Sequence, residues 1–369
     1  MPLPDLHIVT FAVPWPAHYG GAIDVWNRLV ALKALGVKIH LHCFVYGKFD
    51  PQPILKTVAA EVSYYPRVVW PAFLSKNLPY IVASRKAPEL LHQLNKDKQP
   101  IFFEGIQTTG FADVLGSRKV LLRAHNIEQQ YYRELADHSR GVKSLIFSRE
   151  AMMLREYETR IAKVFEVVFP ISPHDEQWFK AKGVKTCLLP PFHGHDQPEI
   201  TPGRGQYVLY HGDLSLGINQ EAVLDLVQHL QTAPDIPVVI AGRSGDKAFE
   251  EKLQRLPNIR REPDVSEERM RALVNEAQVI VIHSLHGSGM KLKIFPALYF
   301  GRFVVATNNS RTDTELDKAI AYYLPEHTLP VIQKYWNMPF EPTQIAERKH
   351  VLDRMPDDTE KAKEILRYL

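Results

Sequence analysis

Short apolar runs alternate with longer amphipathic segments along the whole chain, and this alternation narrows the fold more than any other feature. Residues 6–11 (LHIVTF) read as a strand. Residues 24–35 read as a helix, with Val25, Leu29, Leu32 and Leu35 at helical spacing and Gly36 placed to end it. Residues 37–46 form the next strand candidate, followed by 62–65, 101–103, 120–123 and 167–171. The pattern restarts after residue 185. Strand candidates are 207–210, 238–241, 279–283 and 303–306, with helices predicted over 220–231, 247–256, 266–276 and 289–300. Strands separated by helices predict parallel sheets covered on both faces. The expected fold is therefore α/β: two doubly wound, Rossmann-like domains facing across a cleft. A Pro- and Gly-dense stretch over residues 190–205 reads as the linker region. The expected division is 1–184, 185–345 and a helical tail over 346–369, broken at Pro356 and packing back on the first domain.

Bulk composition sets limits on partners. With 369 residues and 45% hydrophobic side chains, the chain can bury two cores. A net charge of +3 is too mild to point to nucleic acid. Residues 1–175 hold 21 Lys/Arg against 16 Asp/Glu, which is either ordinary scatter or a preference for an acidic surface. Cys43 and Cys187 lie far apart in apolar runs, with neither metal spacing nor a disulfide framework. The N-terminus lacks a basic-then-apolar leader, and no run approaches the ~18 apolar residues of a membrane span. The expectation is a soluble cytoplasmic protein, with peripheral contact at the inner face of a membrane as an option. Candidates for that contact, or for an acceptor contact, are Tyr64, Tyr65, Arg67 and residues 70–76; the competing reading is a packed insertion.

In doubly wound sheets ligands sit beyond the C-terminal strand ends, so the residues just after each strand carry the functional signal. Gly20 and Gly21 precede the first helix and allow either a phosphate approach or a flexible turn. His125 and Asn126 follow the strand at 120–123 and are placed to line a cleft; a hydrogen-bonded core histidine is the alternative. Ser172-Pro173 before Asp175 and Glu176 reads as a helix cap. Asp213 follows the strand at 207–210, and Gly242 and Arg243 follow that at 238–241. Arg243 suits a phosphate or a base, or simply solvent.

The segment 279–307 is the most informative. An apolar strand runs into Gly287, Ser288 and Gly289, then Met290, Lys291, Leu292 and Lys293, and a second apolar strand follows Gly301. A helix opening after a strand presents free N–H groups and a positive dipole end, and glycines let a phosphate approach. Lys291 and Lys293 add positive charge, so an anionic ligand, in particular a nucleoside diphosphate, is expected here.

Taken together these segments resemble the retaining, nucleotide-sugar-dependent GT-B glycosyltransferases of the glycogen and mannosyl transferase group. The carriers are Gly20-Gly21, Arg123 to Glu128, Ile171 to Asp175, His211 to Leu214 with Asn219, Val239 to Gly242, and the stretch from Gly287 to Thr307. The resemblance implies that Gly287, Ser288, Gly289, Lys291 and Lys293 hold a donor diphosphate on the second domain. Gly20 and Gly21 would face the same phosphates, and His125 would line the acceptor side near the sugar. His125 and Lys291 are the implied catalytic residues. It also implies no cofactor and no metal, the co-substrate being a UDP- or GDP-linked sugar; no Asp-x-Asp pair closes a strand. The acceptor would be a glycan, a lipid or a protein.

The sequence departs from the family pattern at two points. Two glutamates eight positions apart are expected, and Ser288 and Pro296 stand there instead. Proline cannot accept hydrogen bonds from a ribose, a contact worth ~2–3 kcal/mol or a factor on the order of 100 in affinity. Inside a helix it also costs ~3 kcal/mol unless it sits in the first turn, so the helix after Gly289 is expected to kink or start late. The second departure is at residues 213–217, where many relatives carry cations and this chain has none. The expected activity is metal-independent glycosyl transfer with retention. The alternative is a catalytically silent relative that binds a glycan or stabilises a partner.

Overall fold

A computed structural model of the chain describes residues 5–47, 49–256, 258–285 and 290–369. Twelve strands form two six-stranded sheets, each entirely parallel. The first contains β1 (Leu6–Thr10), β2 (Ile39–Val45), β3 (Glu61–Pro66), β4 (Ile101–Glu104), β5 (Val120–Ala124) and β6 (Val167–Pro170), in the order 3-2-1-4-5-6. The second contains β7 (Val208–His211), β8 (Val238–Gly242), β9 (Ile259–Pro263), β10 (Val279–Ile282), β11 (Phe303–Thr307) and β12 (Ala321–Tyr323), in the order 12-11-10-7-8-9. Renumbered from its own first strand, the second sheet repeats the order of the first. Each is a doubly wound sheet that reverses direction between its first and fourth strands, where such folds bind ligands. The reversal lies between β1 and β4 in one unit and between β7 and β10 in the other.

Both faces of each sheet are buried, as parallel strands flanked by helices require. In the first, Val9, Phe44, Phe103 and Leu122 fill one face while Ile8, Leu41, Phe102 and Leu121 fill the other. In the second, Leu209, Val239, Ile280 and Val304 oppose Val208, Ile240, Val281 and Val305. The period-2 alternation of side chains thus serves two cores per sheet.

All six expected strands of the first half are present. In the second half β9 and β12 escape the sequence pattern. β9 reads IRREP, a charged edge strand, and β12 has only three residues. The compact units are residues 1–194 with 356–369, and 195–355. This differs from the expected boundaries at 184/185 and 345/346. Residues 185–194 stay with the first unit because Cys187 N and Leu189 N extend the β6 edge by donating to Val168 O and Pro170 O at 3.0 Å each. Residues 346–355 stay with the second because the buried Arg348, in the helix Pro342–Leu352, bonds the Gly301 and Arg302 carbonyls at 2.9 and 2.7 Å. The last helix, Asp358–Leu366, contacts the helix Gly20–Ala34 within the first unit.

One long helix, Val142–Ile161, has an unusual second task. Its Glu150 accepts from Tyr80 N and Ile81 N at 2.8 and 2.9 Å. Its Glu158 accepts from Glu128 N and Gln129 N at 3.0 and 3.2 Å. The two carboxyls therefore satisfy the free first amides of two other helices, Tyr80–Ala83 and Glu128–Asp137. Burial pushes the Glu158 carboxyl up to about 8.

Candidate functional site

In the first unit the helix after β1 begins at Gly20, four residues earlier than the sequence suggests. Gly20 and Gly21 are therefore the first helical residues rather than a loop. No side chain caps this end, and its first turn holds no acidic residue. At Gly21 an added Cβ would lie 2.8 Å from the tip of the Phe11 ring, so a larger residue would have to displace that side chain.

The same helix carries Asp24 and Arg28, one turn apart and both buried. Arg28 donates to Asp24 Oδ2 at 3.0 Å and also bonds Glu104, the last residue of β4. Arg123, on β5, grips Asp24 with two bonds of 3.0 Å, Nε to Oδ2 and Nη2 to Oδ1. Phe192 N also donates to Asp24 Oδ1, at 2.7 Å. Burial alone would raise the Asp24 pKa, but Arg123 and Arg28 together hold this carboxyl far below the usual carboxylate range. Two carboxylates against two guanidiniums, all buried and mutually bonded, form an internally neutral cluster.

His125 completes it. Its Nε2 lies 3.1 Å from Glu104 Oε2, its Nδ1 lies 3.7 Å from Asp24 Oδ2, and Phe11 packs edge-on against the ring at 5.4 Å. The imidazole is half-buried just beyond the end of β5. Asp24, Glu104 and His125 turn ligand-type atoms toward a common point within 4.8 Å of one another. Arginine donors already hold both carboxylates, so the set suits a fixed histidine better than a bound cation. Asn126 is half-buried and hydrogen-bonds Glu128. Gln107 also donates to Glu128, at 3.0 Å, and burial pushes this carboxyl up to about 7.

Sequence reasoning singled out His125 and Asn126 but missed Asp24, Arg28 and Glu104. The signals were there: an Asp and an Arg four apart on the apolar face of the first helix, and an acid closing the apolar strand IFFE.

In the second unit Tyr210, His211, Gly212 and Asp213 run from the end of β7 into its loop. The turns after β7 and β8 touch. At Gly242, φ is +116° and an added Cβ would lie 2.1 Å from Gly212 O, so only glycine fits. Asp213 accepts from Ser215 N at 3.0 Å, and its other oxygen lies 3.8 Å from the exposed Arg243. The structure thus brings Asp213, Gly242 and Arg243 to one strand edge.

Lys293 reaches the same edge. Its Nζ lies 3.4 Å from His211 O and 4.3 Å from the centre of the Tyr210 ring. Its accessible surface makes it half-buried, yet protein atoms crowd the ammonium itself. Burial, with a smaller contribution from Lys291, lowers it to about 7. Among the described residues the buried Tyr210 hydroxyl and His211 Nε2 have no hydrogen-bond partner. Burial, and secondarily Lys293, pushes His211 down to about 3. Among the described residues no carboxylate pairs with the Lys293 ammonium. Sequence reasoning found Lys293 but gave no role to Tyr210 or His211.

The expected helix from residue 289 starts late, at Ile294. Pro296 falls in its first turn, where a missing N–H breaks no intrahelical bond, so no kink results. Lys291 is half-buried and precedes the helix. Gly287, Ser288 and Gly289 lie outside the described residues. His283, after β10, is held by Asp225 at 2.6 Å and Tyr323 at 2.9 Å.

Residues 205–323, which cover this edge, match the family described as glycosyl transferases group 1. A 44.6 kDa protein of the cps region of Klebsiella pneumoniae is 25% identical over 326 residues, with 82% of each chain covered. Among solved structures, the sucrose-phosphate synthase of Thermosynechococcus elongatus superposes with a TM-score of 0.70 at 13% identity, covering 98% of this chain and 97% of its own. The trehalose-6-phosphate synthase OtsA gives 0.65 at 12% identity, covering 99% of both chains. Anabaena HepE, solved with UDP and glucose, gives 0.64 at 12% identity, covering 99% and 98%. These likenesses show the GT-B type of fold, two Rossmann-like units in one chain, and the match over the second unit supports a glycosyltransferase.

Proposed function

We propose that the protein transfers a sugar from a nucleoside-diphosphate donor, UDP- or GDP-linked, to a glycan, lipid or protein acceptor, with retention and without a metal. The observation that carries this reading is the Lys293 cluster. A lysine stands over the Tyr210 ring and beside the His211 carbonyl at the sheet reversal of the unit that matches the glycosyltransferase family. A diphosphate oxygen would give this ammonium a counter-charge and raise Lys293 back toward its ordinary pKa. Neighbours of the same fold include a protein solved with UDP and glucose and a trehalose-phosphate synthase solved with glucose-6-phosphate.

In this reading Lys293 and Lys291 stabilise the leaving diphosphate, which is the charge that develops as the sugar departs. The acceptor hydroxyl attacks from the face the diphosphate leaves, and a diphosphate oxygen takes its proton. His125, pinned by Glu104, positions the sugar on the first unit's side of the chemistry. The Arg28 and Arg123 clamp keeps that ring fixed.

One observation favours the second reading, a silent relative that binds a glycan or stabilises a partner. Pro296 is half-exposed where a ribose-binding glutamate is expected, and it offers no acceptor. Isothermal titration with UDP and GDP separates the two. The transferase reading expects binding in the micromolar to low millimolar range; silence from both nucleotides at millimolar concentration sinks it.

A further inference from the structure

The first unit carries an exposed apolar surface that the transfer chemistry does not use. The chain leaves β3 at Pro66 and forms a short protruding turn through the helix Trp70–Phe73. Trp70 is 78% exposed and Leu74 72%, with Val69 and Phe73 also exposed. Next to it runs the helix Val142–Ile161, whose outer flank shows Val142, Leu145 and Met152 at 72, 72 and 67% exposure. The two elements are joined. Arg149 donates to Ser75 O at 2.6 Å, and Glu150 holds the amides of Tyr80 and Ile81. An apolar surface this prominent marks an interaction site. By contrast Tyr64 and Arg67, the neighbouring residues singled out in the sequence, are engaged internally. Tyr64 accepts from Gln52 N, and Arg67 bonds Ser84 and stacks on Tyr46.

The charge around these side chains is predominantly positive. Residues 66–88 and 138–155 together hold eight Lys/Arg, of which Arg85 is buried; Glu150 is buried as a helix cap, and the exposed acids Asp137 and Glu156 border the second stretch. Lys76, Lys143 and Arg155 are exposed among the apolar side chains. Between the helices Glu128–Asp137 and Val142–Ile161 lies a groove of about 790 Å³. It presents Arg133, Arg149 and Arg155 beside Leu145 and Met152, with Glu134 as its one acid. Among the described residues no helix is long and apolar enough to cross a membrane.

We propose that this face seats the protein on the surface of an anionic lipid bilayer, Trp70, Leu74, Leu145 and Met152 entering the headgroup boundary and the surrounding lysines and arginines meeting lipid phosphates. A projecting tryptophan and aliphatic side chains ringed by cations match the chemistry of that interface. A second copy docked face to face would set the exposed Lys76, Lys143 and Arg155 against their own copies, which charge complementarity disfavours. The seat lies at the C-terminal strand edge, where β3 and β5 end and His125 follows, so it is on the side expected to meet an acceptor.

Vesicle co-sedimentation of the full chain tests the proposal without recourse to activity, so its outcome is separate from that of the nucleotide titrations. The wild type should pellet with phosphatidylcholine vesicles containing a third phosphatidylglycerol, stay in solution with pure phosphatidylcholine, and be released by high salt. Trp70→Ser with Leu74→Ser should weaken binding on the order of a hundredfold. Lys143→Glu and Arg155→Glu should each weaken it by roughly fivefold or more. Lys349→Glu, in the second unit, should change nothing. All these positions are exposed, and circular dichroism checks that the variants fold. Failure of the wild type to bind, or equal binding to neutral vesicles, overturns the proposal. So does a dimer in analytical ultracentrifugation that Leu145→Glu dissolves, because the face would then be a protein interface.

Discussion

The two units share a strand order and differ in how they treat charge. In the first, Asp24, Glu104, Arg28 and Arg123 neutralise one another and leave His125 wedged between two carboxylates. In the second, among the described residues, Lys293 meets a carbonyl and a ring face, and the Tyr210 hydroxyl and His211 Nε2 have no partner. The first is built to hold a side chain still. The second leaves a cation without a counter-charge among the described residues. One fold thus carries a self-neutralised charge cluster and an uncompensated cation, at equivalent reversal points of equivalent sheets.

The sharpest way to break this comparison is Asp24→Asn. It leaves two guanidiniums buried without their shared counter-charge, and the first unit should lose ~3–5 kcal/mol in urea unfolding. A loss below ~1 kcal/mol would mean the cluster is not the rigid element described. His125→Ala should lower turnover by on the order of a hundredfold or more, while UDP affinity and unfolding midpoint stay near wild type. A change confined to KM would remove the histidine from the chemistry. Lys293→Met should weaken UDP binding by on the order of a hundredfold, with little cost in stability, because burial of this ammonium is unfavourable in the free protein. The free lysine titrates at about 7, so wild-type affinity should decline as pH rises above that value, and binding at pH 8 should take up protons from the buffer. Pro296→Glu should tighten UDP binding by about tenfold, since a ribose acceptor is restored near the start of a helix. Unchanged affinity would favour the silent-relative reading.

A pH effect is shared by both units. His42 and His211 each lie at about 3, mainly through burial, so each is neutral in the folded chain. The unfolded chain takes up protons below about 6.5 and the folded chain does not. Stability is therefore full above that value and should fall by about 1.4 kcal/mol per histidine for each pH unit below it, until the folded-state pKa is reached. Urea midpoints at several pH values check the slope, and His42→Phe should flatten it.

How much of this was legible beforehand follows from where the signal resides. Strand existence was visible wherever a run was apolar on both faces, as in VIVI and FVVAT; β9 was not, because an edge strand covered on one side tolerates Arg260, Arg261 and Glu262. The late helix start at Ile294 followed from Pro296 alone. His125 was visible because it stands just past a strand end. Its carboxylate partners were not, because Asp24 and Glu104 come from a helix and a strand 80 residues apart, and only the fold makes them neighbours. Likewise nothing in the local sequence around Tyr210 says that its hydroxyl will lack a partner. Satisfaction of a polar group is a property of three-dimensional packing. The domain boundaries shifted because backbone pairing beyond β6 is not written in side-chain periodicity.

The carboxyls of Glu150 and Glu158 sit eight residues apart on one rod and fasten the starts of two other helices. Those two starts are consequently a single mechanical unit. A push on the rod's outer flank, where Leu145 and Met152 project, is passed straight to the amides of Glu128 and Gln129, a few residues from His125, without disturbing any strand. Deuterium uptake at Tyr80, Ile81, Glu128 and Gln129 should rise and fall in step.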